Sequence, residues 1–234
     1  MKTVAILLSA GSGKRMGTET KKQYLEVCGK PLLYFSLEAL EKSFIDEVIL
    51  VTSEEDEEFV RNEILEPYGI TKVTKIVYGG KERYHSVAAG LAAVENADYV
   101  FIHDGARPNL TADILDRLFD KVKECKAAVA GMPSKDTVKL ADSEGVVMDT
   151  PDRSRVWMVQ TPQVFETSII KEAYEKLLEK EEELLAKGIK VTDDAMVLEL
   201  LGNHKVTMVP GSYLNIKVTT PEDLIFVENA HKAV

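Results

Sequence analysis

Thr3-Val4-Ala5-Ile6-Leu7-Leu8-Ser9-Ala10-Gly11-Ser12-Gly13-Lys14-Arg15-Met16 begins as an unbroken apolar run and ends in small residues, glycines and cations. A short apolar run without alternation reads as a strand buried on both faces, the kind that parallel sheets contain. The segment after it has the chemistry of a phosphate loop: small residues let backbone N–H groups approach phosphate oxygens, and Lys14 and Arg15 supply charge. Two familiar loops do not fit. A Walker A loop needs a glycine where Leu8 stands and a Ser or Thr where Arg15 stands. The dinucleotide fingerprint needs its third glycine at Met16. A nucleotide site of a third kind is expected.

Beyond this strand, further apolar runs at 47–52, 73–77, 98–102 and 127–131 alternate with helical patterns at 32–41, 55–64, 86–94 and 112–123. Strands that alternate with helices predict a parallel sheet covered by helices on both faces, with ligands gathered beyond the carboxyl ends of the strands. After Pro133 the alternation stops. Residues 136–140 and 146–149 flank the turn-like Ala141-Asp142-Ser143-Glu144-Gly145 and predict a β-hairpin. We take 134–156 as an arm inserted into one α/β domain spanning 1–234. A lone hairpin is marginal in water, so a second copy of the chain is expected to support it, giving a homodimer with crossed arms. The chain then returns through a strand at 156–159, helices at 166–187 and 193–201, a strand at 205–209 and a closing helix from Pro221.

Composition limits the partners. The chain has 234 residues, 45% hydrophobic and 29% charged, with a net charge of −10, which suits one domain with a substantial core and not a binder of nucleic acid. Against that acidity, the segment 14–22 sets Lys14, Arg15, Lys21 and Lys22 against Glu19. A local excess of cations in an acidic chain points to a small anionic ligand. Cys28 and Cys125 have no metal-ligand spacing, no run approaches the roughly 18 apolar residues of a membrane span, and a cytoplasmic setting is expected.

Several polar clusters fall at predicted element ends. His103-Asp104-Gly105-Ala106-Arg107-Pro108 follows a strand; a carboxylate there can hold Mg2+, and Gly105 and Ala106 would leave room for a nucleoside. The alternative is an Asp that caps a turn beside an Arg. His103 shares no ligand spacing with the other histidines and is given no catalytic role. Gly79-Gly80-Lys81-Glu82-Arg83-Tyr84-His85-Ser86-Val87 offers glycines for close approach and a hydroxyl suited to a base edge, or else a capped helix start. Asp136-Thr137, Arg153, Thr161, Thr192 and Asn215-Ile216-Lys217 read as a second anion pocket or as caps and turns. Asp193-Asp194 reads most simply as a first helical turn with Thr192 as N-cap.

Taken in order, Ala-Gly-x-Gly-x-Arg-Met, Lys-Gln-Tyr, Gly-Gly-x-x-Arg-x-x-Ser-Val, His-Asp-(small)-Ala-Arg-Pro, Asp-Thr, Asp-Arg, Thr-Pro-Gln, Thr-Asp and Asn-Ile-Lys-Val-Thr resemble the 2-C-methyl-D-erythritol 4-phosphate cytidylyltransferases over about residues 3–226. The resemblance implies a Rossmann-like three-layer nucleotidyltransferase fold with a mostly parallel sheet and a β-hairpin arm. It implies transfer of a cytidylyl group from CTP to 2-C-methyl-D-erythritol 4-phosphate with release of pyrophosphate, in non-mevalonate isoprenoid biosynthesis, with Mg2+ and a homodimer. By position, Arg15, Lys22 and Lys217 would be catalytic, and Asp104 would bind Mg2+. Ala10, Gly11, Gly13, Gly80, Ser86 and Ala106 would hold the nucleotide. Arg107, Thr137, Arg153, Thr161 and Thr192 would hold the sugar phosphate, with Thr137 and Arg153 acting across the dimer. The chain departs from the family pattern at Ser9, commonly Ala, at Lys21, commonly Pro, and at Gly105, often Ala. The alternatives are a ribitol-5-phosphate cytidylyltransferase and a non-catalytic relative that only binds.

Overall fold

The computed structural model describes residues 1–11 and 21–232. Its elements run β1 (Thr3–Leu8), β2 (Glu26–Val27), β3 (Lys30–Pro31), α1 (Leu32–Glu41), β4 (Glu47–Thr52), α2 (Glu57–Phe59), β5 (Val73–Tyr78), α3 (Arg83–Ala93), β6 (Tyr99–Asp104), α4 (Ala112–Cys125) and β7 (Ala127–Pro133). They continue through β8 (Leu140–Ala141), β9 (Val147–Asp149), β10 (Trp157–Glu166), α5 (Thr167–Glu179), α6 (Glu181–Ala186), α7 (Asp194–Val197), β11 (Thr207–Pro210) and α8 (Pro221–Lys232).

Seven strands form one sheet in the order β11-β7-β10-β6-β1-β4-β5. β1 pairs in parallel with both β4 and β6, and β11 with β7, while β10 is antiparallel to both of its neighbours. The order reverses at β1: the chain runs outward to β4 and β5, then crosses back to place β6 on the other side. A crevice opens where two crossovers diverge, at the carboxyl ends of β1 and β6, and Leu8 pairs with Asp104 there.

Alternation along β1 shows why it is apolar throughout. Val4 and Ile6 pack with α3 and α5 on one face, whereas Ala5 and Leu7 pack with α1 and α4 on the other. All four are at most 1% exposed. Val4, Ile6 and Leu7 each contribute roughly 1.5–3 kcal/mol through burial, so the strand is secured from both layers. A third cluster joins Val27, Leu32 and Phe35 to Val218 and Val227, fastening α8 and the preceding segment beside α1.

Some elements differ from expectation. The strand expected to stop at residue 159 runs on to Glu166, because Gln160, Thr161 and Gln163 are buried with their polar atoms bonded. The long helix expected at 166–187 divides at Lys180 into α5 and α6. The hairpin is present, with Asp142 Oδ1 accepting from the N–H groups of Glu144 and Val146 across its turn. Its first strand is only Leu140–Ala141, and it forms a sheet of its own. The N-cap of α7 is Asp193, whose carboxylate accepts from Met196 N at 3.0 Å, and not Thr192.

Candidate active site

Two cavities adjoin at the crevice. The first, about 420 Å³, is lined by Ala10 and Gly11 after β1, Lys22, the Gly80–Ser86 turn, and Asp104, Ala106 and Lys217. The second, about 260 Å³, is lined by Arg107, Thr161 and Thr192 among others. Arg83, Asp104 and Lys217 line both, so these three side chains are a shared wall.

Asp104, the last residue of β6, is 7% exposed. Its Oδ1 accepts from Arg83 Nε at 3.2 Å and its Oδ2 from Lys217 Nζ at 2.7 Å. Burial alone would raise its pKa, but Arg83, then Lys217 and Arg107, outweigh burial and hold the carboxyl well below the usual range. The group stays ionised.

Its backbone is also held. Asp104 N donates to Thr161 Oγ1 at 3.0 Å, and that hydroxyl lies 3.0 Å from His103 Nδ1. His103 Nε2 is 3.2 Å from the carbonyl of Arg107, which can only accept, so Nε2 carries the hydrogen and Nδ1 accepts from the Thr161 hydroxyl. Burial lowers the His103 pKa to about 4, which keeps the ring neutral as this chain of bonds requires. His103 and the Thr161 hydroxyl are both engaged in this chain of bonds, which forms the frame beneath Asp104.

One wall of the first cavity forms where β5 turns into α3. Ser86 Oγ accepts from Gly80 N at 3.2 Å, which fixes the turn opposite Ala10 and Gly11. Ala106 lines the same cavity. Gly105 does not: a Cβ there would meet Leu33 Cδ1 at 2.8 Å and the Leu8 carbonyl at 3.0 Å, so its small size serves packing and not room for a nucleoside.

Four consecutive residues, 21–24, send their side chains in different directions, and of these Lys22 and Gln23 line the first cavity. Lys22 Nζ donates to the Val218 carbonyl at 2.9 Å, Gln23 Nε2 to the Ser9 carbonyl at 2.8 Å, and Tyr24 Oη to Asp56 at 3.1 Å. Lys21 turns away to Ser53, Glu55 and Asp56. Its charge therefore answers acids beside β4, a correction to its inclusion in the anion-binding cluster. Lys14, Arg15, Gly13 and Glu19 lie outside the described residues.

In the second cavity, Arg107 Nη1 donates to the Asn215 carbonyl at 2.8 Å, while its buried Nε finds no partner among the described residues. Burial lowers the Arg107 pKa, with Asp104 acting in opposition. A guanidinium lining a cavity suits a phosphate. Thr137 and Arg153 line neither cavity; Arg153 Nη1 donates to the Lys135 carbonyl at 3.2 Å on the arm. Asp194 was missed as more than a cap: fully buried, it takes two bonds of 2.8 Å from Arg83 and one of 2.5 Å from Tyr174.

The model of the 2-C-methyl-D-erythritol 4-phosphate cytidylyltransferase family matches residues 3–231. The chain belongs to that family. A cytidylyltransferase of that name from Lachnospira eligens is 50% identical over 94% of this chain and 95% of its own length. One from Lachnoclostridium phytofermentans is 46% identical over 97% and 95%. The crystal structure of 4-diphosphocytidyl-2C-methyl-D-erythritol synthase from Anaerococcus prevotii superposes with a TM-score of 0.86 at 35% identity, covering 99% of this chain and 96% of that one. Family membership makes the chain a nucleotidyltransferase with the family's α/β fold. Among the described residues, no helix is long and apolar enough to cross a membrane.

Proposed function

We propose that this chain transfers a cytidylyl group from CTP to 2-C-methyl-D-erythritol 4-phosphate, releasing pyrophosphate, with the nucleotide in the first cavity and the acceptor phosphate in the second. The observation that carries the assignment of places is the shared wall of Arg83, Asp104 and Lys217. An acceptor phosphate beside Arg107 and Lys217 lies next to the α-phosphate of a nucleotide that rests against Ala10, Gly80, Ser86 and Ala106.

The chemistry needs no covalent intermediate, because the acceptor phosphate is already an anionic nucleophile near neutral pH. The chain's task is to bring two polyanions together and hold them in line. Lys22 and Lys217 spread charge over the phosphate oxygens and the departing pyrophosphate, and Arg15 joins them from the phosphate loop. No general base is required. Arg107, which lines the second cavity, adds its guanidinium charge to the binding of the acceptor.

Among the described residues no three His, Cys, Asp or Glu side chains gather into a metal site. One ionised carboxylate at the wall of a triphosphate cavity nevertheless fits Mg2+, which takes few protein oxygens and several from phosphates. Asp104 would hold it, and the ion would supply neutralisation of phosphate charge. Ala10 and Gly11, which line the first cavity, would meet the triphosphate, and Gly13 would hold the nucleotide with them.

The arm supports a homodimer. Leu140, Val147 and Met148 are 52%, 54% and 72% exposed on a sheet separate from the main one, and a second copy of the chain would cover them. Thr137 and Arg153, which line neither cavity of their own chain, would then reach the partner's acceptor. The deciding assay is pyrophosphate release from CTP and Mg2+, with 2-C-methyl-D-erythritol 4-phosphate against ribitol 5-phosphate at equal concentration. Turnover with the first alone upholds the assignment; preference for the second replaces the acceptor, and silence with both removes the activity.

A further inference from the structure

Arg83, in the glycine-rich turn, carries no role in the reaction as derived above. We infer that Arg83 is a positioning residue for Asp104, held in register by Asp194, an inference that rests on the proposed cytidylyl transfer. Its guanidinium divides its donors. Nη1 and Nη2 each meet one oxygen of Asp194 at 2.8 Å, and Nε meets Asp104 Oδ1 at 3.2 Å.

The Asp194 end is anchored by burial and by hydrogen bonds. That carboxylate is fully buried and also accepts from Tyr174 Oη at 2.5 Å, with Tyr174 itself 2% exposed. Burial raises the Tyr174 pKa, and Asp194 adds to the effect, so the hydroxyl keeps its proton and remains a donor. Two parallel bonds from a planar fork to one carboxylate set the plane of the guanidinium as well as its position. Its remaining Nε–H is thereby aimed, and Asp104 Oδ1 lies in its path.

The consequence is an asymmetric hold on Asp104. Oδ1 is tied to a rigid group, while Oδ2 meets Lys217, whose side chain is 35% exposed and flexible. Asp104 cannot rotate away when Lys217 turns to a phosphate. Arg83 is also the first residue of α3, one turn before Ser86, which fixes the Gly80 N–H on the nucleotide wall. It thus links the nucleotide wall, the end of β6 and the loop that carries Thr192.

A role in stability alone is a poor account of this cluster. Buried ion pairs of this kind add little over apolar side chains of the same volume. This one forms the partition between two cavities, with about a quarter of Arg83 exposed to them.

The test uses the full chain with Arg83→Lys, Asp194→Asn and the double variant. Lysine keeps the charge but cannot meet two carboxylates in fixed geometry, and Asp194 lines neither cavity. Circular dichroism and thermal melts establish folding, calorimetry without acceptor measures CTP affinity, and pyrophosphate release measures kcat and KM. The expected result is CTP affinity within about threefold of the parent and kcat lower by about thirtyfold or more in Arg83→Lys. Asp194→Asn is expected to lower kcat in the same direction, and the double variant to fall no further than Arg83→Lys. An intact kcat in a folded Arg83→Lys chain overturns the inference, as does a loss carried wholly by KM, or loss of the folded state in both single variants. A parent chain that is silent with CTP and acceptor overturns the functional reading and this inference with it.

Discussion

Lys22 Nζ donates to the carbonyl oxygen of Val218 at 2.9 Å, across 196 positions of sequence. That bond sets an ammonium on the wall of the first cavity, which Lys217 also lines, and in the proposed reaction charge builds there on the departing pyrophosphate. Lys22→Ala is expected to lower kcat by about 10²–10³. Pyrophosphate release at saturating CTP measures it, and a loss below about threefold would exclude Lys22 from transition-state contact.

The neighbouring lysine behaves otherwise. Lys21 is bound to Asp56 at 2.8 Å and to Glu55, and these acids outweigh burial in raising its pKa. Lys21→Ala should leave kcat within about threefold and cost about 0.5–1 kcal/mol of stability. Parallel assays of the two alanine variants separate a ligand-facing cation from a structural one.

His103 links stability to pH. Its folded pKa of about 4 lies below the ordinary value of 6.5, so between these values the unfolded chain binds the extra proton. Stability from this group is complete above pH 6.5 and is lost as pH falls toward 4, by roughly 2–3 kcal/mol. Urea unfolding at pH 4.5 and 7 should show a smaller difference between the two pH values in His103→Gln than in the parent. Equal differences would show that His103 is not the group responsible.

Gly90 on α3 lies against β1. A Cβ there would meet Ile6 Cγ2 at 2.6 Å and Val51 Cγ2 at 3.3 Å. Gly90→Ala should destabilise by about 1–2 kcal/mol, overpacking outweighing the gain in helix propensity. A urea midpoint unchanged or raised would mean that the helix shifts without cost.

The arm offers a surface test. Met148→Glu places a charge on the most exposed of its apolar residues, where burial against a second copy would leave that charge unpaired. Light scattering at micromolar concentration should show the parent as a dimer and the variant as a monomer, while a monomeric parent would refute the dimer.

Legibility in the sequence followed the range of the interactions. β1, β4, β6 and β7 were readable because burial on both faces leaves unbroken apolar runs. The second half of β10 was not, since Gln160, Thr161 and Gln163 are buried through bonds to residues tens of positions away. Asp104 and Ser86 were legible because their motifs follow β6 and β5, whereas Lys217, in the segment between β11 and α8, was reached through the resemblance. The Arg83–Asp194 pair could not: its members stand 111 positions apart, and an acid at a helix start looks like a cap. Gly105 misled for a related reason, as smallness does not say which side of the backbone is crowded.

Val218 N donates to the Ala106 carbonyl at 2.8 Å, seating the segment that carries Lys217 against the turn after β6. On the ribosome, every other described wall of the nucleotide cavity is made long before that segment emerges. Domains fold as they are synthesised, from the N-terminus, so the sheet can form around a cavity that still lacks one of its cations. Competence for substrate would then arrive as a late event of biosynthesis, decided by the docking of a single loop.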